Sequence, residues 1–237
     1  MTACLSRKPV ESVQPVWQTP HHSDVMEDFR QLASRQSVLT MEQLCQLQSR
    51  LLGPVGLFAK LARQVAEQGR QAPALGDLAT LEGDERRALA EKSVEFALGV
   101  HHRREVTVNP FADLQREFLC CVVFDELAPF ALVERYAASA ALRQRDSDYF
   151  IKLIATTRNT VERRFVFHGL LEHYDELLPV ERSVYPVNYR AAQQNHLENE
   201  EQRYGKLVLH RPVREILKRH TASWVLANLC SEPESAR

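Results

Sequence analysis

The stretch Thr40-Met-Glu-Gln-Leu-Cys-Gln-Leu-Gln-Ser-Arg-Leu-Leu-Gly53-Pro54 decides the fold class. Thr40 with Gln43 three residues on is a capping-box pattern, in which hydroxyl and amide satisfy two free N–H groups at a helix start. Met41, Leu44, Cys45, Leu51 and Leu52 then share one stripe at helical spacing. Gly53 stops the helix. Pro54 suits the first turn of the next, where a missing N–H costs nothing.

The same grammar runs outward in both directions. Upstream, Ser23 can cap a helix whose Val25, Phe29, Leu32 and Ala33 lie on one face. Downstream, Phe58, Leu61, Ala62 and Val65 repeat until Gly69. Residues 1–22 hold three prolines and little periodicity, which predicts a flexible tail. Residues 23–69 are expected to form a small N-terminal helical subdomain. Periodicity lapses over 70–83 around Pro73, Gly76 and Gly83, the best internal linker.

Residues 84–230 are expected to be the main helical domain, with 231–237 frayed. Its first helix should run from Asp84 to about His102, with acids at its positive end and His101 to Arg104 at its negative end. Asn109-Pro110 signals a second start, ahead of Phe111, Leu114, Phe118, Cys121 and Val122. Pro129 opens a third, and Asp146 or Ser147 could cap a separate shorter one. Phe167, Leu170, Leu171, Tyr174 and Leu178 make another stripe, although Arg164 to Phe167 could be extended. Pro179 and Pro186 frame a turn-rich segment before a polar helix over roughly 187–204. Lys206 to His210 reads as extended or irregular, Pro212 opens a short basic helix, and Ala222 to Leu229 makes a last turn or two. The expectation is an all-α globule of about ten helices. No hairpin signal and no repeat of 30–45 residues argues otherwise.

Composition narrows the function. The chain has 237 residues, with 30 Lys+Arg against 31 Asp+Glu for a net charge of −1. A globally basic nucleic-acid binder and an acidic disordered chain are both disfavoured. Glycine, at 8 residues, is about half the roughly 7% norm, so a Gly-rich phosphate loop is not expected. The longest dense apolar run, Phe118 to Phe124, is seven residues, well short of the ~18 of a membrane helix. The N-terminus has Arg7 and Lys8 but no apolar region behind them, unlike a secretory leader. Five cysteines, with no CxxC and with Cys120 and Cys121 adjacent in an apolar run, suit buried thiols in a reducing cytoplasm.

Catalytic signatures are scarce. His168, Glu172 and Asp175 stand at i, i+4, i+7 on one helix face, where imidazole and carboxylates could hold a metal or relay a proton. His173 points elsewhere, and the pattern matches neither HExxH nor HxxEH, so the bland reading is a solvated face. There is no GxSxG, phosphate loop or dinucleotide fingerprint, so no cofactor is expected and the reading leans against an enzyme. Cys121 should be protonated and inert.

Two surfaces invite a partner. Glu172 to Glu201 holds seven acids and two basic residues, whereas Arg203 to His220 holds six basic residues and one acid. Arg211, Arg214, Lys218 and Arg219 on the basic helix could meet phosphates or an acidic protein surface, unless they fold back on the acidic segment. Tyr185 and Tyr189 flank a loop between helices, where tyrosine offers contact area at low entropic cost. The leading expectation is a non-enzymatic binding protein acting through protein–protein contacts as an adaptor, assembly factor or subunit. The alternative is a nucleic-acid-binding regulator using the basic helix, and the third is a metal enzyme at His168, Glu172 and Asp175.

Overall fold

Thr40 caps its helix as its spacing requires: its hydroxyl accepts from the Gln43 N–H at 3.2 Å, and the Gln43 side chain accepts from the Thr40 N–H at 2.8 Å. The computed structural model describes residues 22–156 and 160–228, and among these it is all-helical. The order is α1 (His22–Ser37), α2 (Met41–Leu52), α3 (Leu57–Gln68), two 3-10 helices (Gly69–Gln71 and Pro73–Thr80), α4 (Asp84–Val100) and α5 (Arg116–Phe124). Then come α6 (Leu132–Ala155), α7 (Thr160–Glu176), α8 (Pro179–Arg182), α9 (Tyr189–Tyr204), α10 (Val213–Arg219) and α11 (Ala222–Asn228). No described helix is long and apolar enough to cross a membrane.

The long helix α6 organises the rest, touching α3, α4, α5, α7, α10 and α11. Its start rests on Glu134, which is fully buried, accepts from the Ala131 N–H at 2.7 Å and pairs with Arg86 at 2.7 Å. The first half of α6 lies in a large apolar cluster with α1–α5 and Leu178 and Val180. Its second half enters a smaller one, in which Tyr149 and Leu153 meet Phe165, Val213, Leu217 and Val225.

Several elements differ from the sequence expectation. No helix starts at Pro110. Asn109 instead folds a local turn, its Oδ1 accepting from the Phe111 N–H at 2.9 Å and its amide donating to the Ala137 carbonyl at 2.8 Å. Helix α5 therefore begins only at Arg116. Asp146 and Ser147 do not cap a new helix: no Gly or Pro interrupts 132–155, and Asp146 is turned toward Arg116, so α6 runs through. Arg164 to Phe167 is helical within α7, and the turn-rich segment contains the single-turn α8. The segment 70–83, read as a linker, holds most of the two 3-10 helices. Ala72 and Leu75 are buried in the large cluster, and the Asp77 carboxylate accepts from the Leu132 N–H at 2.7 Å. The expected tail 1–22, apart from His22, and the frayed end 231–237 lie outside the described residues.

Helix α7 approaches α6 and α10 closely enough to require glycine. A Cβ at Gly169 would lie 2.6 Å from Leu153 Cδ1, 2.8 Å from the Tyr149 hydroxyl and 3.0 Å from Val213 Cγ1. The Gly169 carbonyl also accepts from that hydroxyl at 2.8 Å. Gly169→Ala should therefore destabilise the protein by about 1–3 kcal/mol through overpacking, despite alanine's better helix propensity. A lowered urea midpoint would show this; an unchanged or raised one would contradict the contact.

Candidate functional site

Arg116 is only 5% exposed, and its position at the first turn of α5 drives it into the interior. A buried guanidinium needs partners, because transfer of a charge out of water costs several kcal/mol. Glu181 of α8 meets it at 2.5 Å, and Asp146 of α6 at 3.3 and 3.5 Å. Glu181 also accepts from the Leu178 N–H at 2.9 Å, closing the single turn of α8. Burial works against the charge on Arg116, but the carboxylates of Glu181 and Asp146 outweigh it and raise its pKa above the ordinary arginine value. Burial likewise pushes the Cys120 thiol well up and the Cys121 thiol to about 12, so both stay protonated.

Beside this cluster lies a cavity of about 330 Å³ where α2, α5, α6, α7 and α8 meet. Ser139, Leu142, Arg143, Asp146 and Phe150 line it from one flank of α6, at spacings that share a helix face. Leu52, Phe124 and Leu177 close it with apolar surface, and Val184 and Tyr185 stand at its edge.

His173 lines the same cavity and is 4% exposed. Its ring stacks on Tyr149, with centroids 5.7 Å apart, and meets Phe150 edge-on at 4.6 Å. Its Nδ1 lies 3.2 Å from Arg214 Nη2. A guanidinium only donates, so Nδ1 accepts and the single ring proton of the neutral form sits on Nε2. Burial, with Arg116 and Arg214 nearby, pulls the His173 pKa down to about 4, partly offset by Asp146.

A second concavity, of about 350 Å³, opens between the other flank of α6 and α10. Arg145, Lys152, Arg214 and Lys218 surround it against one acid, Asp148, which accepts from Gln144 at 2.8 Å. Tyr149 and Leu217 form part of its wall. Arg145, Lys152 and Lys218 have no ion pair among the described residues, whereas Arg214 pairs with Glu176 at 2.8 Å and lies 4.7 Å over the Tyr149 ring.

The structure divides the sequence-selected residues. Arg214 and Lys218 join the basic cleft. Arg211 and Arg219 instead share Glu215 of their own helix, at 3.1 and 2.8 Å. Tyr185 and Tyr189 pack with Tyr174 in a three-ring group, with Tyr185–Tyr189 centroids 4.7 Å apart. His168, Glu172 and Asp175 do not converge. Glu172 caps α10 by accepting from the Val213 and Arg214 N–H groups at 3.0 and 3.4 Å, His168 faces Glu201 at 3.7 Å, and Asp175 pairs with Arg190 at 2.7 Å. Among the described residues no three His, Cys, Asp or Glu side chains gather as a metal site. Sequence reasoning missed Arg145 and Lys152, although seven residues apart they share a face once α6 is read as one helix. It also passed over His173, whose role depends on burial.

No protein family, no curated protein and no solved structure matches this chain.

Two outcomes test the site's construction. Glu181→Ala should cost about 3–5 kcal/mol in chemical denaturation because it strands a buried guanidinium, and the double variant Arg116→Met/Glu181→Met should cost less than the two single losses combined. For His173, the folded pKa lies below the unfolded one near 6.5, so the unfolded chain binds the proton first as pH falls. Its contribution is complete above about pH 6.5 and is lost toward pH 4, on the order of 3 kcal/mol. The pH dependence of stability in that window should flatten by this amount in His173→Gln, and identical profiles would contradict the burial.

Proposed function

We propose that this chain is a binding protein acting through contacts with a protein partner, as an adaptor, assembly factor or complex subunit. The cleft between α6 and α10 receives an acidic segment of that partner. One observation carries the reading: four cations surround a concavity holding a single acid, and three of them have no ion pair among the described residues. Unpaired like charges around a concavity raise the local concentration of an oppositely charged ligand and speed its capture.

A folded acidic protein segment suits this cleft better than a long nucleic acid. Arg211 and Arg219 are held by Glu215, which leaves a compact group of cations rather than a stripe following a backbone. The tyrosine loop supplies an apolar contact surface elsewhere: Val187, two residues before Tyr189, is 91% exposed. The three described cysteines are free, which supports a reducing cytoplasm as the setting.

The test is affinity purification of tagged wild type and of Lys152→Glu/Lys218→Glu from the native host, with and without nuclease. A stoichiometric protein partner that survives nuclease with wild type and disappears with the double variant is the expected result. Equal recovery by both proteins would remove the cleft, and loss of the partner on nuclease treatment would put nucleic acid in its place.

A further inference from the structure

The cavity at the meeting of α2, α5, α6, α7 and α8 is separate from the basic cleft, and its chemistry is different. We propose that it binds a small apolar α-amino acid, with the ammonium group at Asp146 and the carboxylate between Arg143 and the His173 Nε2–H.

Asp146 and Glu181 share one guanidinium, so the buried cluster retains one uncompensated negative charge. Glu181 holds Arg116 at 2.5 Å and caps α8, whereas the contacts of Asp146 to Arg116 are longer, at 3.3 and 3.5 Å. Asp146 is therefore the carboxylate left to accept from a cation inside the cavity. Arg143 lies one helical turn before it on the same flank of α6 and has no ion pair among the described residues. His173 lines the same cavity and brings a ring N–H to it. The residue is 4% exposed and its Nδ1 is taken by Arg214, which leaves the Nε2–H as its remaining ring donor.

The remaining walls, Leu52, Phe124, Leu142 and Leu177, offer only apolar surface. An occupant thus needs a cation and an anion close together at one end and a hydrocarbon body at the other. The volume lies at the low end of small-molecule sites, about 300–1,000 Å³.

Isothermal titration of the full chain with L-leucine and L-phenylalanine tests this. Saturable one-to-one binding of at least one of them is expected. Isopentylamine, lacking the carboxylate, and 4-methylpentanoic acid, lacking the ammonium, should each bind about tenfold or more weakly, one lost charged hydrogen bond being worth at least that factor. Asp146→Asn should weaken the amino acid by about tenfold or more. Because Asp146 also touches Arg116, a second variant is placed at the cavity edge: Val184→Trp, at a position 58% exposed, should block binding while leaving the circular dichroism and Tm of wild type. Absence of saturable binding by both amino acids, equal binding of the amine or the acid alone, or undiminished binding by Val184→Trp would each overturn the proposal. Lys152→Glu/Lys218→Glu should bind the amino acid as wild type does, so failure of the cleft and failure of the cavity are read separately.

Discussion

The buried charge of Arg116 is the constraint on which the rest of the arrangement turns. A guanidinium cannot shed its charge, so an interior position obliges carboxylates to follow it inward. They come from two other helices, Asp146 of α6 and Glu181 of α8. This recruits a four-residue helix that would have little stability alone, and it turns Asp146 away from the capping role its residue type suggests. An apolar set of the same shape could match such an ion group in stability. What the charges add is a fixed relative placement of α5, α6 and α8, since any slip would strand one of them.

Helix α6 carries that placement to both concavities. One flank, through Asp146 and Phe150, forms a wall of the junction cavity; another, through Arg145 and Lys152, forms a wall of the basic cleft. Arg214 joins the two. It lines the cleft, lies over Tyr149, pairs with Glu176 and donates to His173, which lines the cavity. The cleft's partly committed arginine is thus the group that fixes the tautomer of the cavity's histidine.

How much of this was legible in sequence depended on the range of the interactions. The Thr40–Gln43 box and the stop at Gly53 involve neighbours within four residues and appear as read, whereas of the α2 stripe Leu44 and Leu51 are buried and Met41 is half exposed. Asn109-Pro110 and Asp146-Ser147 were also local signals, yet each was overridden by a distant partner: the Ala137 carbonyl for Asn109 and Arg116 for Asp146. The supposed interruption of α6 separated Arg145 from Lys152 on paper and so concealed the cleft. His168, Glu172 and Asp175 do share a helix and a spacing, but α9 and α10 supply separate partners for each.

Local hydrogen-bond chemistry and the 3.6-residue period therefore determined from the sequence alone that the protein is helical and where most of its helices lie. They also determined that the Cys120–Cys121 run is interior. Tertiary structure decided which polar residues are left without partners. Arg211 and Arg219 look like Lys218 in the sequence, but the first two are drawn to the one carboxylate of Glu215 and the third is left facing the cleft. The reason is physical: charge and donor capacity belong to the residue, whereas desolvation and pairing belong to the neighbours that packing brings from elsewhere in the chain.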